Sequence, residues 1–200
     1  ELDVYGMADA FDFPKPTYLV KKVMQIGGFE DSLFIDFFSG SATSTEAVMS
    51  LNAEDNGKRK IIAVQLPENL DQKYETVGKT EKPKVKKVLD FLDSANRPHT
   101  LDYIGIERII RAARKIKEQN PDVTTDLGFK HYTLAEVSQT TLDKIEKFDN
   151  SGFITDTTVY DEFGTATVLT TWLVHDNYGF VNNCKMVNLS GYSAYWCENH

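Results

Sequence analysis

The segment Phe34 to Val48, FIDFFSGSATSTEAV, sets an acidic residue, Asp36, in an apolar run that breaks at Ser39-Gly40-Ser41 and resumes with helical spacing. A turn of this make-up suits a nucleoside ligand. Gly40 lets a ligand come close to the backbone, and the start of the following helix offers N–H groups that have no intrahelical partner. A carboxylate beside the turn accepts hydrogen bonds from a ligand's ammonium or hydroxyl groups. The turn has one glycine rather than the three of a dinucleotide fingerprint, and no Gly-Lys-Ser/Thr follows, which excludes a P-loop. An ordinary strand-to-helix connection has the same spacing, so the turn alone leaves both readings open.

A second group closes the next apolar run, where Gln65 is followed by Leu66, Pro67 and Glu68. In doubly wound sheets ligands lie beyond the carboxyl ends of the strands, and a polar residue about 20 or more positions after the first turn commonly holds ribose hydroxyls. Gln65 and Glu68 are candidates for that role, against the plainer reading of polar residues in an exposed loop. The remaining chemistry-bearing types point nowhere. His99, His131, His175 and His200 are too scattered for a metal pattern, and Ser39, Ser41 and Thr43 have no His and Asp arrangement that would make one of them a nucleophile.

These residues need a scaffold, and the hydrophobic period supplies one. Pro14-Lys15-Pro16 leads into a helix that starts near Thr17 and stops at Gly27-Gly28. Ser32 to Phe38 reads as a buried strand, Thr43 to Leu51 as a helix, and Lys60 to Leu66 as a second buried strand. Strand, helix and strand in this order make the βαβ unit of a parallel sheet. The stretch Asn69 to Pro83 reads as an exposed polar excursion, and Lys84 to Leu92 as a short helix. Asp102 to Glu118 reads as an amphipathic helix with its isoleucines inward and its arginines outward. Leu127 to Leu134 reads as a further strand. The texture changes after residue 134, which places a boundary between a segment 1–134 and a tail 135–200. Thr165 to Val174 fits helix or strand, and Tyr178 to Tyr195 favours short strands. Trp172, Tyr178, Phe180, Tyr192, Tyr195 and Trp196 read as small-domain core in preference to an interface.

Composition narrows the class. With 41% hydrophobic and 26% charged residues the chain has the make-up of a folded globular protein. No apolar stretch approaches the roughly 20 residues that cross a bilayer, and no secretory leader is visible. Two cysteines, Cys184 and Cys197, are too few for a disulfide framework and read as free thiols in a reducing cytoplasm. The net charge of -8 argues against nucleic acid as a partner of the average surface, although lysines cluster at 82–87 and basic residues at 108–117. Both clusters read as solvated helix faces.

Five stretches in order, FDFPKPTYLVKKVM, DFFSGSATSTEAV, RKIIAVQLPE, IGIERIIRAARKI and DLGFK, resemble the C-terminal half of the modification subunit of type III restriction-modification systems. These are β-group amino-methyltransferases that act on adenine in DNA. The resemblance covers about residues 8 to 134 and extends more weakly to TTWLV. It implies an α/β fold, with part of a Rossmann-like S-adenosylmethionine-dependent methyltransferase sheet and a small α+β module at the C-terminal end. It also implies S-adenosyl-L-methionine as cofactor. The family's FxGxG-like motif falls on Phe38, Gly40 and Ala42, with Asp36 and Phe37 before it and Ser39, Ser41 and Thr43 in the same turn. Ala42 replaces the last glycine. The family's PKP segment falls on Pro14, Lys15 and Pro16, beside the methionine end of the cofactor with Phe11 and Phe13 near. Gln65, Leu66 and Glu68 fall in the region of the ribose and adenine.

The Asp-Pro-Pro-Tyr motif on which this family's chemistry depends is absent, since the sequence holds no Pro-Pro pair. In a β-group enzyme it is expected upstream of residue 1, together with the DNA-recognition region. The implied parent therefore methylates adenine N6 in double-stranded DNA by base flipping, partnered by a restriction subunit and a second modification subunit. Two alternatives stand beside it: a methyltransferase for RNA or a small molecule on the same scaffold, and an assembly module that binds a partner subunit through the tail.

Overall fold

The computed structural model describes residues 2–7, 11, 13–134, 158–179 and 184–197. They form a mixed α/β arrangement with two small sheets, in two compact units that divide after Gly128.

In the first unit a 3-10 turn over Leu2–Tyr5 precedes α1 (Thr17–Gly27), β1 (Leu33–Asp36), α2 (Thr43–Asp55), β2 (Lys60–Ala63), α3 (Leu70–Thr76), α4 (Lys82–Ser94) and α5 (Leu101–Gln119). β1 and β2 are parallel neighbours in the register Leu33 to Lys60 through Asp36 to Ala63. The connecting α2 packs against one face of the pair, so that Met24, Ala47, Val48 and Leu51 form a core with Val20, Phe34 and Ile61. The opposite face carries Leu33, Ile35, Ile62 and Val64, all exposed. A second core gathers Leu2, Met7, Leu70, Val85, Leu89, Leu92 and Ile104, joining the N-terminal turn to α3, α4 and α5. Each of these fully buried side chains contributes on the order of 1.5–3 kcal/mol.

Helix α2 is enclosed between α1 and α5, so Thr43 to Met49 are buried although most of them are polar. Such groups need partners. Those partners correct the sequence-based reading of α5. Its arginines do not all face outward: the Arg108 side chain is 0% exposed and points into the N-terminal end of α2. Lys84, Lys86 and Lys87 of α4, in contrast, are exposed, and Lys82 is half-buried over the Tyr74 ring.

Two further expectations fail. Asn69 to Pro83 is not an open excursion, because Leu70–Thr76 is helical, with Asn69 accepting the Gln72 N–H at its start at 3.0 Å. Leu127 to Leu134 forms no strand. Alternating residues become a strand only when a neighbour supplies a hydrogen-bond ladder, and neither described sheet includes this run.

In the second unit α6 (Thr158–His175) is two helical stretches that meet at a kink at Gly164, φ 74°, and Thr165 to Val174 is helical in the second of them. β3 (Cys184–Leu189) and β4 (Tyr192–Cys197) form an antiparallel hairpin. Cys184 and Cys197 face each other at its open end and are joined by a disulfide, contrary to the free thiols expected. The register explains it, because opposed positions in an antiparallel ladder bring two Cβ atoms within bonding range. The aromatic residues expected as a small core are largely exposed: Trp172, Tyr178, Tyr192, Tyr195 and Trp196. Phe180 lies outside the described residues. No described helix is long and apolar enough to cross a membrane.

Candidate functional site

The corner after β1 is built from backbone bonds that tie it to the end of β2. The Ser39 N–H donates to the Val64 carbonyl at 3.0 Å, and the Gly40 N–H donates to Gln65 Oε1 at 2.7 Å. The Ala42 N–H then closes the turn on the Ser39 carbonyl at 2.7 Å. Gly40 and Ala42 both take left-handed backbone, at φ 51° and φ 59°. For Gly40 this conformation is free of strain, whereas for Ala42 it costs about 1–2 kcal/mol. The Ala42 methyl recovers part of that cost by burial against Met49 and Ile109.

Asp36 ends β1 with its carboxylate turned to the same corner. Its Oδ1 accepts the Phe38 N–H at 3.1 Å and its Oδ2 accepts the Ser44 hydroxyl at 2.6 Å. A carboxylate has about four lone-pair sites, so these bonds orient it without filling it. Around it, Phe37, Phe38 and Leu66 stand 66%, 85% and 65% exposed at the carboxyl ends of the parallel strands. The ring of Phe11 covers Gly40, 3.1 Å from where a β-carbon would be. Just before α1, Phe13 and Lys15 are exposed and alternate with the half-buried Pro14 and Pro16. The structure thus gathers Phe11, Asp36, Ser39, Gly40 and Gln65 into one bonded or touching group. Glu68 instead faces Lys73, at 3.8 Å. Ser41, Ala42 and Thr43 are buried beneath the turn rather than presented at its surface.

S-adenosylmethionine has a flat apolar base, a ribose and a charged amino-acid tail. The arrangement fits such a group in kind through an exposed aromatic and aliphatic shelf beside an oriented carboxylate, while the side of Gly40 that a β-carbon would take is filled by the Phe11 ring. Gln65 is employed differently from the sequence-based expectation: its Oε1 holds the turn, and its amide nitrogen donates to the Leu66 carbonyl at 3.2 Å.

Sequence reasoning missed the underside of the site. Arg108 of α5 donates from Nε to Glu46 Oε2 at 2.6 Å and from Nη1 to Thr43 Oγ1 at 2.7 Å and Ser41 Oγ at 3.0 Å. Its Nη2 donates to Thr17 Oγ1 at 3.0 Å. The signal was present in the spacing, since Arg108 follows Ile104 by one helical repeat and shares its inward face. Among the described residues no group of His, Cys, Asp and Glu side chains could hold a metal ion.

Known proteins resemble this chain closely. Residues 163–200 match the family described as the Type III R-M EcoP15I C-terminal domain. The StyLTI Mod subunit of a type III restriction-modification enzyme from Salmonella typhimurium is 35% identical, over 99% of this chain and 32% of that protein. The EcoPI Mod subunit of Escherichia phage P1 is 30% identical, over 96% of this chain and 27% of that protein. The type II methyltransferase M.KpnI of Klebsiella pneumoniae is 36% identical over 62 residues, 31% of this chain and 15% of that protein. The chain spans between about a quarter and a third of the length of the Mod subunits it matches. Together with the βαβ corner, these matches make the chain a segment of a type III restriction-modification Mod subunit.

Proposed function

We propose that this chain forms the S-adenosylmethionine-binding part of a DNA adenine-N6 methyltransferase, on one edge of a Rossmann-like sheet. The observation that carries the reading is the corner itself. Parallel β1 and β2 end side by side, Asp36 and the Gly40 turn follow the first strand, and Gln65 at the end of the second locks that turn. The relatives' names, Mod subunit and methyltransferase, supply the reaction class. When bound, the cofactor would supply the methyl group. The chain's own residues would hold it: Asp36 accepts from ribose hydroxyls or the ammonium, Phe38 and Leu66 cover the base, and Lys15 pairs with the carboxylate. Double-stranded DNA, a second Mod subunit and a restriction subunit are the partners this reading assigns to the whole protein, with residues 1–134 serving the cofactor and 135–200 assembly.

Titration calorimetry on the full-length protein that carries this chain tests the reading. Wild type binds S-adenosylmethionine, and Phe38→Ala weakens binding by about tenfold, the loss expected when one base-stacking surface is removed. Phe38 is almost fully exposed, so its loss leaves folding intact. A folded protein that does not bind the cofactor, or a Phe38→Ala variant of wild-type affinity, would count against the assignment.

A further inference from the structure

The underside of the corner carries an inference that rests on the cofactor reading and adds to it. We propose that α5 is the template that shapes the cofactor turn, with Arg108 as a positioning residue and Gly105 as the gap into which the turn settles.

A buried arginine kept only to neutralise Glu46 would spend its guanidinium on that carboxylate. Arg108 does not. Nε meets Glu46, while Nη1 reaches the Ser41 carbonyl at 3.4 Å, the Ser41 hydroxyl at 3.0 Å and the Thr43 hydroxyl at 2.7 Å. Nη2 reaches Thr17, the residue that follows Pro14-Lys15-Pro16. One planar fork therefore ties together both segments that frame the site, the start of α1 and the turn after β1. Glu46 is fixed in turn by the Tyr5 hydroxyl, which donates to Oε1 at 2.8 Å, and Tyr5 is held through its carbonyl by Arg111 Nη1 at 2.7 Å. This is a supported network rather than an isolated pair. Buried ion pairs contribute little net stability compared with apolar residues of the same volume, so stability alone is a poor reason for this one. Geometric definition is a better reason, because the guanidinium fork directs its donors in fixed directions that a lysine cannot reproduce.

Gly105, one turn before Arg108 on the same helix, meets the corner from below. A β-carbon there would lie 3.1 Å from the Gly40 carbonyl oxygen and 3.3 Å from the Ala42 methyl. Any side chain at 105 must push the turn by a few tenths of an ångström. The glycine and the arginine thus act on the same few atoms, one by leaving room and the other by pulling.

The test measures S-adenosylmethionine affinity and melting temperature together, on the full-length protein carrying Arg108→Lys, Gly105→Ala or the control Arg59→Lys. Arg59 is also a buried guanidinium, forked onto Asp55 at 2.9 and 2.8 Å, and it makes no bond to the turn. Arg108→Lys should raise the cofactor Kd by about tenfold or more, since small displacements of binding groups have large effects. In a methylation assay the KM for the cofactor rises while kcat at saturating cofactor is kept. Gly105→Ala should weaken binding in the same sense while melting as a cooperative fold, because alanine favours the helix. It carries the test if Arg108→Lys fails to fold. Arg59→Lys should lower the melting temperature and leave the Kd unchanged. The proposal is overturned if Gly105→Ala binds as tightly as wild type, or if Arg108→Lys weakens binding no more than Arg59→Lys does. A wild-type protein that binds no cofactor overturns the cofactor reading, and this proposal with it. Wild-type binding with unaffected variants overturns this proposal alone.

Discussion

At the far end of α2 from the turn, Asn52 joins the helix to the start of β2 in the manner of a strand. Its Nδ2 donates to the Arg59 carbonyl at 2.9 Å, and its Oδ1 accepts the Arg59 N–H at 3.1 Å. Both bonds are buried, so Asn52→Ala should destabilise the fold by about 1–3 kcal/mol, chiefly because it leaves the Arg59 backbone groups unsatisfied. Urea unfolding measures this, and a loss within error of zero would show that water replaces the amide. The sequence hinted at little of it. Asn52 opens a polar run that reads as a turn, whereas the helix continues to Asp55 and ends at Asn56 in left-handed backbone. Arg108 was misread for a related reason. A charged side chain on an amphipathic helix is usually solvated, and nothing in its own neighbourhood announces Glu46, which lies 62 positions away.

The elements were more legible than their side chains. α1, β1, β2 and α5 follow from hydrophobic period and from Gly and Pro punctuation, because each has one dominant face or a short apolar run, and α2, buried on nearly every side, follows from the Gly40 break before it and from Ala47, Val48 and Leu51. α3 escaped because LDQKYET has only one buried residue, Leu70, and is held by its cap and by a neighbour. That neighbour is His99, which precedes α5. Its Nδ1 lies 2.9 Å from Asp71 of α3 and its Nε2 lies 2.9 Å from Asp93 of α4, while its carbonyl accepts the Leu70 N–H. The hydrogen bond to Asp71 and then that to Asp93 raise the His99 pKa above its ordinary value of 6.5. A histidine whose folded pKa is raised stabilises the fold fully below its unfolded pKa and loses that contribution as pH rises through the folded value. Hydrogen exchange in α3, corrected for the intrinsic pH dependence of exchange, should therefore show protection that falls as pH rises above 6.5 through the raised pKa of His99. His99→Gln should flatten the profile. A profile identical in wild type and variant would refute the link. Asp55 behaves oppositely: the hydrogen bond from Arg59 lowers its pKa below 3.8, so its contribution is present above that value and is lost as pH falls through the folded pKa.

On the scale of the whole chain, the two compact units differ in what holds them. The first has apolar cores between helices, whereas the described residues of the second include a helix and a hairpin closed by a covalent link between Cys184 and Cys197. With its two cysteines 13 positions apart, the link should contribute about 3 kcal/mol to its unit, mainly by restricting the unfolded chain. Alkylation without reductant should therefore leave both cysteines unmodified, and Cys197→Ser should lower the melting temperature of that unit. Two alkylated thiols in the folded protein would disprove the pairing. The pairing was not readable beforehand, since it depends on a hairpin register that an alternating run leaves open. The parallel pair β1 and β2 has a consequence of its own. Among the described residues helices back it on one side only, and its outer face of Leu33, Ile35, Ile62 and Val64 is exposed. A two-stranded ribbon has little cohesion by itself, so in the isolated chain the proposed nucleoside ledge hangs on a thin wall, and gentle heating should erase its outline while the helices behind it still stand.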